Sequence, residues 1–393
     1  MKAKIYNVAA KHAVVQRKTM QPLSCCGVWH IKIGLVAAKE GKAMTRQELS
    51  NFIVQKDASV FDATAALDAG GKNIVFVCEG MKLLATFTDG DLRRYVLRSG
   101  DMSKPISSAA NYNPYKLHEN EYKRESLMDK DFLARGIPII NYMGDIVSIE
   151  FLSSTVAQKN MSLNMPVVIM AGGRGSRLTP YTDVLPKPLI PVGDKTITEH
   201  IIEKFIGCGC NNFTMIVNYK KELIKAYFKE SLYKENIRFI DETSFLGTGG
   251  GLKLLEGMYG DTFFMTNCDI LIDADYEDIL RHHRKYEAII TMICAIKKIE
   301  VPYGTVEMGR SGKPVRLVEK PEYPLLTNTG LYVIEPAFLE NITEDTFANI
   351  TDLIQLLIDA GKPVGVYPIG DAKWLDMGQI GELGRMEKAL RDS

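Results

Sequence analysis

Ala171-Gly-Gly-Arg-Gly-Ser-Arg-Leu-Thr-Pro180 follows directly on the apolar run Pro166-Val-Val-Ile-Met170 and is closed by Leu185-Pro-Lys-Pro-Leu189. The apolar run reads as a buried strand. A strand therefore ends in Gly172, Gly173 and Gly175, two arginines, and a lysine framed by prolines. Glycine lets backbone N–H groups approach an anion closely, and arginine and lysine bring the matching charge. Such a segment is suited to holding a nucleoside triphosphate. It is not a dinucleotide fingerprint, because Leu178 stands where the third glycine belongs and Pro180 follows. Nor is it a P-loop, because no Gly-Lys-Ser/Thr occurs here.

Working outward, the 393 residues are enough for two or three domains. The formal net charge is zero, which gives no reason to expect a nucleic-acid partner. Residues 1–43 nonetheless carry a net +7 and the remainder −7. This first segment is expected to be a basic tail, either disordered or translated from upstream of a natural start at Met44. No apolar run is long enough to span a bilayer, so no membrane partner is expected. The seven cysteines show neither a paired framework nor zinc-ligand spacing, and a cytoplasmic location is expected.

Residues 44–154 read as one unit. Ser59 caps a helix through Asp68, Ile74–Cys78 and Lys82–Thr86 are strands, and Thr88 or Asp89 opens a helix through Leu97. A weaker copy follows, with a helix over Arg124–Leu133 and strands over Ile137–Asn141 and Asp145–Ile149. Two such copies suggest a pair packed face to face. Residues 155–164 read as a linker. From 165 to 393, strands and helices alternate. Strands are expected at Val167–Met170, Thr214–Val217, Ile237–Ile240, Thr262–Thr266, Ala288–Ala295, Gly330–Ile334 and Val364–Tyr367. Helices are expected at Ile197–Ile206, Lys221–Lys229, Tyr276–Tyr286 and Ile350–Asp359. The alternation argues for an α/β domain with a mostly parallel sheet, helices on both faces and ligands at the carboxyl ends of the strands. His282-His283, beside Arg281 and Arg284, reads as a solvated helix face, and Cys268 as a small packed residue.

Thr88-Asp-Gly-Asp-Leu-Arg93 resembles the nucleotide-binding segment of tandem CBS modules. That resemblance implies contacts from Thr88 and Asp91 to an adenine nucleotide; a helix cap in a dimerisation platform is the equal alternative. The second copy, Val147-Ser-Ile-Glu150, lacks the pattern. Gly172–Pro191 resembles the signature of sugar-1-phosphate nucleotidyltransferases. The likeness continues in Leu246-Gly-Thr-Gly-Gly250, where Gly249 replaces a usual alanine, and in Thr266-Asn-Cys-Asp269, Pro302-Tyr-Gly304, Glu319-Lys-Pro321, Asn328-Thr-Gly330 and Trp374-Leu-Asp-Met-Gly378. It implies a three-layer, Rossmann-like, nucleotide-diphospho-sugar transferase fold preceded by a CBS-pair α+β domain.

The same resemblance implies roles. Arg177 and Lys187 would be catalytic. Ala171, Gly172, Gly173, Gly175 and Gly249 would border the nucleotide. Gly304, Glu319, Lys320 and Asn328 would hold the sugar phosphate, and Asp269 and Asp376 a Mg²⁺ ion. The substrates implied are an NTP, with GTP favoured, and a hexose- or aminohexose-1-phosphate. The CBS-first arrangement is similar to glucosamine-1-phosphate guanylyltransferases of legionaminic acid synthesis. Mannose- or heptose-1-phosphate guanylyl transfer, glucose-1-phosphate thymidylyl or uridylyl transfer, and a non-catalytic nucleotide-sensing subunit stay open. A homo-oligomer is expected.

Overall fold

The computed structural model describes residues 44–98, 100–120, 136–151, 162–310, 312–378, 384 and 386–388. The basic tail, the Arg124–Leu133 helix and most of the 155–164 linker lie outside the described residues.

A seven-stranded sheet organises the larger part of the molecule. Its strands, β1 to β7 in chain order, are Pro166–Ala171, Asn212–Val217, Ile237–Asp241, Phe263–Asn267, Ile290–Glu300, Glu322–Ile334 and Val364–Gly370. Their spatial order is β3-β2-β1-β4-β6-β5-β7, and only β6 runs antiparallel to its neighbours. The sheet is thus a mostly parallel α/β sheet. Its central strand shows why it is buried on both faces. Val167, Ile169 and Ala171 enter one core with Ile201, Phe205 and Phe228, while Val168 and Met170 enter the other with Ile350, Ile354 and Leu357. This is the period-2 alternation of a strand covered by helices on both sides.

The helix Ile197–Gly207 starts at a capping box in which Thr196 Oγ1 accepts from the Glu199 N–H at 3.3 Å and Glu199 accepts from the Thr196 N–H at 2.8 Å. Strand β6 extends eight residues further toward the N-terminus than the sequence pattern suggests, because its start pairs with the equally long end of β5 out to Glu300–Glu322. That ribbon is largely exposed, and Pro324 interrupts its short apolar stretch Tyr323–Leu326, which argues against a strand in the sequence. His283 also departs from expectation. It is buried on the same helix face as Tyr276, Ile279 and Leu280, the i, i+3, i+4, i+7 set. Its Nδ1 lies 2.8 Å from Thr291 Oγ1 and its Nε2 2.9 Å from Glu335 Oε1, and burial holds its pKa below the usual histidine value.

The N-terminal unit has two small sheets. Ile53–Gln55, Ile74–Glu79 and Lys82–Thr88 form one; Leu117–His118, Gly136–Ile140 and Ile146–Phe151 form the other. They share a core of Leu49, Phe76, Cys78, Ile140, Ile146 and Ile149. Ser59 caps the helix Val60–Gly70 with Asp62 as its reciprocal partner. Residues 44–378 form one compact unit with this module against the edge of the large sheet. Ile296 of β5 enters the module's core. From the helix Asp89–Arg98, Asp89 pairs with Lys373 and Arg93 pairs with Asp278. The Arg93 guanidinium also stands 4.1 Å from the centre of the Tyr367 ring, whose hydroxyl donates to Asp278 at 2.8 Å.

Removing one partner of a mostly buried, hydrogen-bonded ion pair leaves the other uncompensated. Arg93→Ala is therefore expected to cost about 2–4 kcal/mol in a urea titration, with Arg93→Lys recovering only part of it.

Candidate active site

The carboxyl ends of β1, β2, β3 and β4 open onto a cleft of about 630 Å³. One wall is the glycine segment. Gly172, Gly173, Gly175 and Arg177 line it, while Ala171 is buried as the last residue of β1. Two glycines here are required by geometry. Gly175 has φ +67°, and a Cβ would sit 2.9 Å from Thr182 Cγ2 and 3.3 Å from Lys187 Cβ. A Cβ on Gly172 would stand 2.5 Å from Glu242 Oε2.

Lys187 begins a short 3₁₀ turn between Pro186 and Pro188, and the Leu189 N–H closes that turn onto the Pro186 carbonyl at 2.9 Å. The prolines limit the backbone, and Thr198 Oγ1 anchors the Pro188 carbonyl at 2.9 Å. The lysine is thus aimed inward, where its ammonium pairs with Asp269 Oδ2. Both side chains are largely buried. Asp269 follows β4 and lies beside Asp376: Ile270 pairs with Asp376 across a two-stranded ribbon, and the Met377 N–H donates to the Asp269 carbonyl at 2.9 Å. Burial and then the Asp269 charge raise the Asp376 pKa above its ordinary value, opposed by the Gly378 N–H, which donates to Asp376 Oδ1 at 2.7 Å, and by Lys187 and Arg177.

Two neighbouring carboxylates beside a cation-lined cleft suit a hard divalent ion that takes few carboxylates and completes its shell with phosphate oxygens and water. Among the described residues, no cluster of three or more His, Cys, Asp or Glu side chains offers a fuller cage.

A nucleotidyl transferase family model matches residues 166–393, more than half of the chain. The chain belongs to the nucleotidyl transferase family. Over 237 residues the chain is 33% identical to the bifunctional protein GlmU of Methanocaldococcus jannaschii, covering 58% of this chain and 55% of that protein. It is 31% identical over 237 residues to a UTP–glucose-1-phosphate uridylyltransferase of Synechocystis, covering 55% and 61%. It is 33% identical over 225 residues to a mannose-1-phosphate guanyltransferase of Yarrowia lipolytica, covering 51% and 61%. The chain thus spans little more than half the length of the curated relatives it matches.

Gly304, Glu319, Lys320 and Asn328, which the resemblance assigns to the sugar phosphate, are not among the residues lining the cleft. Glu319 and Lys320 are exposed, with Glu319 Oε2 only 2.8 Å from where a Cβ on Gly304 would stand. Lys320 holds an unusual left-handed backbone, φ +45°. Asn328 Nδ2 donates to Tyr332 Oη at 2.6 Å, and its Oδ1 accepts from the Gly330 N–H at 3.2 Å. Gly330 in turn leaves room for Asn267, which does line the cleft. Gly249 faces away, against Asn349, Ile350 and Leu353, and its neighbours Gly247 and Thr248 line the cleft instead. Far from the cleft in sequence, Thr88 and Asp91 cap the helix Asp89–Arg98: the Thr88 N–H donates to Asp91 Oδ2 at 3.0 Å and the Thr88 hydroxyl donates to the same oxygen at 2.7 Å.

Sequence reasoning missed Glu242. It follows β3 immediately, at the ligand-facing end of a parallel strand, and that position was the available signal. It lines the cleft at 3% exposure, and its Oε1 has no hydrogen-bond partner. Burial raises its pKa from 4.5 to about 7, partly offset by the Leu246 backbone N–H. Between these two values the native chain binds more protons than the unfolded chain, so this group's contribution to stability falls as pH rises from 4.5 to 7. Glu242→Gln is accordingly expected to stabilise the ligand-free protein by about 2–3 kcal/mol more at pH 8 than at pH 4.5, read as paired thermal melts.

Proposed function

We propose that this chain transfers a nucleotidyl group from an NTP, with GTP favoured, to a hexose- or aminohexose-1-phosphate, releasing pyrophosphate. The observation that carries the reading is the Lys187–Asp269 pair, set beside Asp376 at the mouth of the glycine-lined cleft. A sugar-phosphate oxygen attacks the α-phosphorus; the new P–O bond forms as the bond from the α-phosphorus to the bridging oxygen breaks, and pyrophosphate carries that oxygen away. Both reactants are polyanions, so positioning and charge neutralisation dominate the barrier. No general base is required, because the attacking phosphate is already anionic near neutral pH.

The backbone of the glycine segment borders the nucleotide. Arg177 stabilises charge developing on the leaving pyrophosphate. Lys187 turns from Asp269 toward the α-phosphate and the incoming phosphate. Lys320, Glu319, Gly304 and Asn328 receive the sugar phosphate and its hydroxyls. Asp269 and Asp376 would hold Mg²⁺, which supplies charge neutralisation for the triphosphate when bound. The product serves surface-glycan or nonulosonic acid synthesis in this reading, in the cytoplasm and as a homo-oligomer. Mannose-, heptose- or glucose-1-phosphate are the alternative acceptors. No helix among the described residues is long and apolar enough to cross a membrane.

The test is pyrophosphate release from each of GTP, UTP, dTTP, ATP and CTP against a panel of sugar-1-phosphates with Mg²⁺. Lys187→Ala and Asp269→Asn are each expected to lower kcat about 10²–10³-fold, the loss typical of removing one preorganised electrostatic contact. Nucleotide binding without pyrophosphate release across the panel would instead favour a nucleotide-sensing subunit.

A further inference from the structure

Two carboxylates of the N-terminal module converge on one short turn of the larger domain. That turn, Asp371–Lys373, follows β7 and leads directly into the strand Trp374–Asp376. Asp89, the first residue of the module's helix Asp89–Arg98, pairs with the Lys373 ammonium, and both side chains are largely buried. Asp68, near the end of the helix Val60–Gly70, packs against the same turn. Position 370 is bare on its account, because a Cβ there would collide with Asp68 Oδ1. Burial raises the Asp68 pKa, and the Ala372 N–H and then the Lys373 charge oppose that rise. The larger domain grips this stretch through its backbone: Gly370 pairs with Ile296 of β5, and the Asp273 N–H donates to the Lys373 carbonyl at 2.8 Å. Buried charges at a docking surface are a poor source of stability, because apolar side chains would hold the two surfaces without the desolvation cost. What such a cluster can fix is a single relative arrangement.

From this juxtaposition we propose that Asp89, Asp68 and Lys373 are positioning residues through which the N-terminal module sets the place of Asp376. This rests on the reading of Asp269 and Asp376 as the acids that hold Mg²⁺. Lys373 precedes Asp376 by three residues, a span of roughly 10 Å in an extended chain. The strand between them pairs only with Ile270–Ile272. A short two-stranded ribbon is marginal on its own in water, so its placement depends on what holds its ends. One end is tied to Asp269, whose carbonyl accepts from the Met377 N–H; the other is the turn that the module clasps. A small hard ion demands closely defined positions for its oxygen ligands, and a displacement of about 1 Å can cost on the order of 10²-fold in rate.

The experiment compares the full chain with Asp89→Asn, Lys373→Met and Arg93→Lys. Arg93 belongs to the same docking surface but pairs with Asp278 rather than with the turn, so its variant reports weakened docking alone. Three quantities are read: hydrogen exchange over residues 370–378, Mn²⁺ binding by electron paramagnetic resonance with GTP present and no acceptor, and the Mg²⁺ concentration for half-maximal pyrophosphate release. In Asp89→Asn and Lys373→Met the expected result is faster exchange in that segment, at least 10-fold weaker Mn²⁺ binding, at least 10-fold higher Mg²⁺ demand, and a KM for the NTP within about twofold of wild type. Arg93→Lys is expected to melt at a lower temperature with all three readings unchanged. Asp89→Asn is nearly isosteric and keeps the test open should Lys373→Met fail to fold. Unchanged exchange and Mn²⁺ binding in Asp89→Asn, or an equal change in Arg93→Lys, overturns the proposal while the transferase reading stands. Faster exchange and weaker Mn²⁺ binding in the two variants, from a wild type that turns over no NTP, uphold it and overturn the transferase reading. A wild type that binds no Mn²⁺ beyond what GTP itself takes up overturns the proposal together with the metal assignment.

Discussion

The site depends on the attraction between one ammonium and two carboxylates held at the ends of separate chain segments. Asp269 leaves the central sheet at the end of β4, while Asp376 arrives from more than a hundred residues away along a short antiparallel ribbon. Brought together alone, the two acids would repel. Lys187, stiffened by flanking prolines, supplies the opposite charge and makes the arrangement tolerable without a bound ion. A polyanionic substrate offers this lysine a second partner. In the proposed reaction the ion pair is a resting arrangement, and both groups take other partners when the cleft fills.

That geometry is secured by the sheet. Residues of β1 alternate between two cores, so sliding the strand by one residue would exchange its apolar contacts and misplace the glycine segment. The N-terminal module adds a second constraint. Lys373, held by Asp89, precedes the ribbon that carries Asp376, and Arg93 fixes the neighbouring helix through Asp278 and Tyr367. The module's docking helix and one of the two acids thus share a short stretch of chain.

Much of this was legible in the residues themselves. The alternation of apolar runs gave the parallel sheet, and Gly172, Gly173, Gly175, Arg177, Lys187 and Asp269 meet in one cleft because the loop after β1 and the end of β4 open on the same side. What escaped has physical reasons. The ribbon Glu322–Leu326 carries Pro324 in mid-run and leaves Tyr323, Leu325 and Leu326 half-exposed, so its apolar residues do not alternate as a buried strand's would. His283 looks polar, but helical periodicity places it inward. Glu242 is the second of two adjacent acids at the end of a short strand, and only packing shows that Asp241 faces lysines while Glu242 fills the space two distant glycines leave. Gly249 was legible as part of a loop, but only packing reveals that its bare face serves the helix beginning at Ile350 rather than the cleft.

The contact between Gly172 and Glu242 ties loop and wall into one steric unit. Glycine at 172 is required at least as much by the carboxylate behind it as by any phosphate in front. The same holds at Gly251. A chain in which position 242 shrank to alanine would release both glycines from that restriction, whereas an alanine at either glycine with the glutamate kept would collide with it. These three positions are therefore expected to change together during divergence, so this wall of the cleft would vary as a triad of positions rather than one residue at a time.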